Sequence, residues 1–183
     1  MRLLVLEKEY EWPIGEDGLP TRHAARVILI DEAGRVLLVH GHDANDLGHS
    51  WWFTVGGGLE AGESHREAAV RECFEETGIK LDARDLEGPV ICRDAKMFFA
   101  DRTRRQIEQF FIARVAAVEL DYSHWSNDER NLLDEMRWFH VDEVMELCGR
   151  ENVFPSQLPR LLAKWRDNEG VRSCVKIDEY NKT

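Results

Sequence analysis

Gly57-Gly58-Leu59-Glu60-Ala61-Gly62-Glu63, then seven residues, then Arg71-Glu72-Cys73-Phe74-Glu75-Glu76-Thr77-Gly78-Ile79 is the stretch that decides how this chain is read. It opens in glycines, whose backbone reaches conformations closed to other residues. Ser64 followed three residues on by Glu67 forms a capping box, in which the two residues satisfy each other's unpaired N–H groups at a helix start. Gly78 after Thr77 is a stop signal, so the spacing predicts a helix between the two. Ala69, Val70, Cys73, Phe74 and Thr77 recur at helical spacing and form its expected buried stripe. On a helix turning about 100° per residue, Glu72 and Glu76 lie about 40° apart, with Glu75 flanking Glu72. All three are expected away from the centre of the stripe.

Such a cluster works against the helix that carries it. Like charges three or four residues apart repel by a few tenths of a kcal/mol. Glu75 and Glu76 also fall in the last turn, where the helix dipole disfavours negative charge. Clustered oxygen ligands in an unfavourable place suit hard divalent cations, above all Mg²⁺ or Mn²⁺. A solvated acidic face is the plainer reading, and for an isolated Glu-Glu pair the better one. Here a glycine turn, a capped helix and the acidic cluster follow in the one order that brings backbone carbonyls beside the carboxylates.

The segment resembles the signature of the Nudix hydrolases, a pattern of G, five residues, E, seven residues and R-E-U-x-E-E-x-G-U, with U apolar. Gly57, Glu63, Arg71, Glu72, Glu75, Glu76 and Gly78 meet every fixed position, and Ile79 meets the last apolar one. Cys73 stands where an aliphatic residue is usual. Trp51-Trp52-Phe53 leading into Gly56-Gly57-Gly58, and Met136-Arg137-Trp138-Phe139 with Asp142-Glu143, are also similar to the family. The resemblance covers residues 21–150, leaving 1–20 as an N-terminal extension and 151–183 as a C-terminal helix and tail.

The resemblance implies an α+β fold, an α/β/α sandwich with a mixed β-sheet. It implies a metal-dependent pyrophosphatase using Mg²⁺ or Mn²⁺, in which water attacks phosphorus in a nucleoside diphosphate linked to another moiety. Glu72 and Glu76 would be the principal metal ligands, and Glu75 a further ligand or the carboxylate that organises water. The Gly57 carbonyl would be an additional ligand. Arg71 would orient the glutamates through Glu63, unless Glu63 is a plain surface residue of the turn.

Outside the signature the family's additional base or ligand varies in position, and Glu108, Glu129 and Glu135 are the candidates. Arg102, Arg104 and Arg105, with Arg93 nearby in sequence, form a basic patch for substrate phosphate or a solvated hairpin turn. Trp51, Trp52, Phe98 and Phe99 are stacking candidates better placed in a core. His40, His42, Asp43 and His49 flank a polar loop without the spacing of a zinc site.

The rest of the chain supplies context. A net charge of −11 speaks against general nucleic-acid binding, and means that an anionic small-molecule substrate needs cations or a local basic patch. No apolar run approaches a membrane span, and without a targeting segment a cytoplasmic location is expected. Four scattered cysteines with no CxxC pair predict reduced thiols. Strands are predicted over 26–30, 35–40, 51–55, 89–92, 96–100, 106–118 and 137–141, with 41–50 a loop. Residues 127–135 are polar and possible helix, Asp142 caps a helix through Cys148, 156–167 is helical, and the tail beyond is loose. A homodimer is left open. An isopentenyl-diphosphate isomerase shares the fold, but its usual sequences degrade the signature. A ligand-sensing module would have lost the glutamates.

Overall fold

The computed structural model describes residues 12–116, 118–123, 125–127, 129–166 and 173–180, without the side chains of Glu129 and Arg166. Residues 1–11, most of the N-terminal extension, thus lie outside the described residues.

Alternation in the first strand sets the layers. In β1 (Thr21–Ile30), Ala25, Val27 and Leu29 are buried in one apolar cluster, and Ile28 and Ile30 in another. Successive strand residues point to opposite faces, so each face acquires its own core. β2 (Val36–Asp43), β3 (Asp46–Phe53), β4 (Val55–Gly58), β5 (Glu87–Phe98), β6 (Thr103–Arg114), β7 (Leu133–Phe139), β8 (Asn152–Val153) and β9 (Val175–Glu179) complete one sheet. Its order is β8-β3-β2-β1-β6-β5-β9, with β4 paired to β1 and β7 to β2. The sheet is mixed: β1 runs parallel to β6 and β5 parallel to β9, while β5 and β6 are antiparallel.

Helix α1 (His65–Thr77) packs Ala68, Ala69 and Cys73 against Val27, Leu37, Val55 and Phe111 on one face. The other face is covered by α3 (Val141–Leu147) and α4 (Leu158–Arg166). Leu158, Leu161, Leu162 and Trp165 of α4 are all buried against Phe110, Phe139 and Ile177. At about 1.5–3 kcal/mol per buried large side chain, that contact docks α4 onto the sheet. The result is the expected α/β/α layering around a mixed sheet. A further short helix, α2 (Glu129–Leu132), precedes β7.

Several local expectations are corrected. Residues 41–50 are no loop: β2 runs to Asp43 and β3 starts at Asp46. The Asp43 carboxylate closes the hairpin by accepting from the Asn45 N–H at 2.9 Å. Residues 89–100 do not hold two strands, because β5 continues through Arg93 and Asp94, whose charges are met by Glu108 and Arg105 on β6. Strand β6 stops at Arg114, short of Val118. The cap of α3 is His140, whose N–H donates to Glu143 Oε2 at 2.6 Å, rather than Asp142.

The tail is not loose over 175–179, which form β9, pairing Ile91 with Val175 and Arg93 with Ile177. That pairing brings Cys174 within 6.2 Å (Cα–Cα) of Cys92, and the two form a disulfide. The expectation of four reduced thiols therefore fails for this pair and holds for Cys73 and Cys148. Pair spacing in sequence finds only local partners, and these lie 82 residues apart.

Candidate active site

Helix α1 begins and ends as its sequence dictates. Ser64 Oγ accepts from the Glu67 N–H at 3.3 Å, Glu67 Oε2 accepts from the Ser64 N–H at 2.9 Å, and Gly78 closes the helix at φ 73°. The helix is thereby fixed against β4, which pairs Gly56 with Arg26 and Gly57 with Ala25 of β1. Gly56 sits at φ 130°, and a Cβ there would stand 2.2 Å from the Ala25 carbonyl oxygen, so no other residue fits.

The glutamates meet this glycine strand at close range. A Cβ on Gly57 would lie 2.5–2.7 Å from the atoms of the Glu72 carboxylate. The Gly56 N–H donates to Glu76 Oε2 at 2.8 Å. Glu76 is only 5% exposed, which corrects its expected place outside the buried stripe. Val70 and Phe74, expected within the stripe, are half-buried. A buried backbone N–H needs an acceptor, and Glu76 supplies it.

Arg71 gathers the remaining carboxylates. Its guanidinium donates to both Glu63 oxygens at 2.9 Å, to Glu72 Oε1 at 2.8 Å, to Glu75 Oε2 at 2.9 Å and to the Gly58 carbonyl at 2.9 Å. Glu63 is thus the bidentate partner of Arg71, itself held by the Glu60 N–H at 2.9 Å, rather than a bare turn residue. That bond to Arg71 keeps the Glu63 carboxyl below the ordinary carboxylate range. Glu72 moves the other way: burial pushes it up, and Arg71 only partly offsets this.

The donor set fits a hard divalent cation in type, being carboxylate and carbonyl oxygens. Glu72 and Glu76 flank Gly56 and Gly57, and the missing Gly57 side chain is the space into which the Glu72 carboxylate leans. Glu75 is half exposed beside them. Among the described residues no three His, Cys, Asp or Glu side chains already converge as a ready cage. Arg71 stands between Glu72 and Glu75 as their shared counter-charge.

The expected arginine patch is divided by the alternation of β6. Arg105 turns to Asp94 (2.5 Å) and Asp17 (3.6 Å), and exposed Asp101 takes Arg102. Arg93 is buried between Glu108 and Glu179, each 2.6 Å away. Arg104 alone of the four joins the rim of the glycine strand, where its guanidinium lies 4.8 Å from the Trp12 ring centre.

The sequence reading missed two arginines there. Arg22 stacks on the same indole at 4.2 Å, lies against Gly58, and donates through Nε to Gln106 Oε1 at 3.3 Å. Burial and then the like charge of Arg26 push its guanidinium down to about 10, while Glu108 and Glu72 pull it back. Arg26 donates through Nη1 to the carbonyls of Thr54 and Gly56. The signal was an Arg22-x-Ala24-x-Arg26 alternation just ahead of the apolar run, which places both arginines on one strand face.

Of the auxiliary carboxylates, Glu108 is buried, and both its oxygens are taken by Arg26, Gln106 and Arg93. Burial acts to raise its pKa, but Arg93 and Arg26 outweigh it and hold the group below the ordinary range. Glu135 is exposed on β7 opposite His40. The Glu129 side chain lies outside the described residues. His40 and His42 both meet Asp134, at 2.8 and 3.1 Å. Trp52 is in the core, and Trp51 packs on Phe99 and His49. A concavity of about 510 Å³ opens past the C-terminal end of α1, between Ile79, Leu81 and Val115, away from the glutamates.

Comparison with known proteins agrees with this fold. The family model of the NUDIX domain matches residues 20–161. An RNA pyrophosphohydrolase of Erythrobacter litoralis (strain HTCC2594) is 28% identical over 169 residues, covering 87% of this chain and 92% of the relative. Diphosphoinositol polyphosphate phosphohydrolase 2 of Mus musculus is 26% identical over 166 residues, covering 90% and 83%. Among solved structures, the MutT protein of Methanosarcina mazei Go1 shares the fold at a TM-score of 0.56 and 21% identity, covering 82% of this chain and 97% of that one. A C. elegans Ap4A hydrolase does so at 0.51 and 17%, covering 80% and 96%. The chain therefore belongs to the Nudix hydrolase family and is an enzyme of the pyrophosphohydrolase class.

Proposed function

We propose that this enzyme, with Mg²⁺ or Mn²⁺, hydrolyses a diphosphate linkage carried by a polyanionic partner, and that the triphosphorylated 5′ end of an RNA is its substrate. The observation that carries the catalytic half is the closure of Glu72 and Glu76 on Gly57 and Gly56. A bound divalent cation would make water nucleophilic at neutral pH and relieve charge on the phosphate oxygens. Glu72 and Glu76, with the Gly57 carbonyl, would hold it. Arg71 keeps Glu72 and Glu75 oriented, and Glu75, the most exposed of the three, would organise the attacking water.

The substrate half rests on Arg22 and Arg104, which stack on Trp12 beside Gly58. Among the described residues the terminal amino groups of Arg22 meet no hydrogen-bond acceptor, and a stacked guanidinium is pre-organised for a phosphate. This local charge opposes the net −11 of the chain, so it offers an anion a favourable place against the overall field. The RNA pyrophosphohydrolase named above supports this choice, and the diphosphoinositol polyphosphate phosphohydrolase supports only the wider class of phosphate-rich substrates. End recognition of this kind needs no general affinity for nucleic acid, and it is compatible with a cytoplasmic enzyme.

The test is a panel with Mg²⁺: a 5′-triphosphate oligoribonucleotide, a diphosphoinositol polyphosphate, ADP-ribose, NADH and a dinucleoside polyphosphate, with products identified by mass. Turnover should be fastest on the oligoribonucleotide, vanish with chelator and return with Mg²⁺ or Mn²⁺. Preference for ADP-ribose or NADH would overturn the substrate, and full turnover in chelator would overturn the metal.

A further inference from the structure

The charges on the helix-α4 face of the sheet form a continuous line. Glu179, in β9, lies 2.6 Å from Arg93 Nε through Oε2, a contact of charges without hydrogen-bond alignment. Arg93 Nη1 donates to Glu108 Oε2 at 2.6 Å. Arg26 Nε donates to Glu108 Oε1 at 2.9 Å. Arg26 Nη1 then donates to the Gly56 carbonyl, and the Gly56 N–H donates to Glu76 Oε2 at 2.8 Å. Glu108, Arg93 and Glu179 are each at most 9% exposed.

Every member of this line is needed by its neighbours. A buried charge costs several kcal/mol unless it is paired, so two arginines and two carboxylates in alternation hold one another in place. Arg26 cannot drift from Gly56 without leaving Glu108, and Glu108 carries two arginines only while Arg93 is shared with Glu179. The middle is further braced by Gln106 Nε2, which donates to Glu108 Oε1 at 2.7 Å. The far end is braced by the Ser156 N–H, which donates to Glu179 Oε1 at 2.9 Å.

We infer that Glu179, through Arg93, Glu108 and Arg26, is a positioning residue for the cation site: the C-terminal strand sets the Gly56–Gly57 backbone and, through it, the Glu76 carboxylate. This rests on the reading above that Glu72 and Glu76 hold the cation. Partners one step behind metal ligands commonly change metal affinity about 10–100-fold when altered, because they fix where the ligand oxygens stand. Glu179 acts at longer range, and its effect should fall toward the lower end of that span.

The experiment uses the full chain and Mn²⁺ as the probe. Glu179→Gln keeps the size of the side chain and an oxygen for the Ser156 N–H, but removes the charge that faces Arg93. Mn²⁺ affinity is read by electron paramagnetic resonance, and amide exchange is followed in a peptide spanning Thr54 to Gly58. Glu179→Gln should weaken Mn²⁺ about tenfold and speed exchange at Gly56, with exchange in α1 unchanged. Glu179→Asp, which restores the charge on a shorter arm, should recover part of both.

Glu72→Gln serves as the reference, and it should abolish Mn²⁺ binding. Normal Mn²⁺ affinity in Glu72→Gln would overturn the cation reading itself. Loss of binding in Glu72→Gln with unchanged affinity and Gly56 exchange in Glu179→Gln would overturn the relay alone. A uniform rise in exchange across the sheet and α1 would also overturn it, by making Glu179 a general stabiliser. Should Glu179→Gln fail to fold, Arg26→Lys, which keeps the charge and cannot span Glu108 and Gly56 together, is read by the same two measurements. Unchanged values there would overturn the relay as well.

Discussion

Gly57→Ala isolates the geometry of the cation site from the stability of the fold. Gly57 needs no left-handed backbone, so alanine brings no strain of its own to β4. The new methyl would meet the Glu72 carboxylate at 2.5–2.7 Å, where ordinary contact begins at 3.4 Å. The carboxylate is the free end of a side chain and can retreat by about 0.9 Å, several times the roughly 0.2 Å within which metal–ligand distances are held. It would then move off Gly57 and loosen its 2.8 Å bond to Arg71.

A displacement of that size at a catalytic group costs about 100-fold. Gly57→Ala should therefore lower kcat about 100-fold and weaken Mn²⁺ by an order of magnitude or more, while Tm moves little. The assay is a Mg²⁺ titration of turnover, with Mn²⁺ affinity and thermal unfolding on the same preparation. Near-normal kcat and Mn²⁺ affinity would refute the reasoning, because the Glu72 carboxylate would then have no need of the space above Gly57. Gly56→Ala is the contrasting case, since its methyl meets a backbone oxygen at 2.2 Å and should prevent native folding altogether.

Other outcomes follow from the same contacts. Glu72→Gln should lose at least about 100-fold in kcat, whereas Glu67→Gln, which touches only the cap of α1, should lower Tm and leave kcat near normal. The Glu108 carboxyl is held low, so its stabilising effect is complete above its unfolded value of about 4.5 and is lost as pH falls through the folded value. The Tm difference between the natural chain and Glu108→Gln should thus be constant above about pH 5.5 and shrink below about 4.5; a difference that grew on acidification would reverse the sign. Alkylation and intact mass should find one reactive thiol in the native unreduced protein, exposed Cys148, because burial pushes the Cys73 thiol up to about 12. Unfolding without reductant should add Cys73 alone, and three or four labels at that stage would exclude the Cys92–Cys174 disulfide.

What was legible in the sequence was what is local. The capping box at Ser64 and Glu67, the stop at Gly78 and the clustered glutamates each involve residues within one or two helical turns, and the helix formed where they placed it. The strand predicted over 26–30 was legible for the same reason, although β1 begins earlier, at Thr21. Register between distant strands is not local, and there the reading failed. Arg93 and Arg105 look alike in a sequence beside Arg104, yet Arg93 is buried against Glu108 and Glu179 while Arg105 pairs with Asp94. Only the pairing of β5 with β6 and β9 decides this. Residues 41–50 misled through composition, since a polar hairpin is held by backbone pairing that side-chain polarity does not report.

The bond between Cys92 and Cys174 turns half of the chain into a ring. A protease cut anywhere inside that ring opens it without dividing the molecule, and the two pieces would migrate as one species until a reductant is added. The last strand, although close to the end of the chain, is then as hard to lose as the middle of the sheet. Glu179 would remain beside Arg93 in a molecule that had already been cut in two on paper.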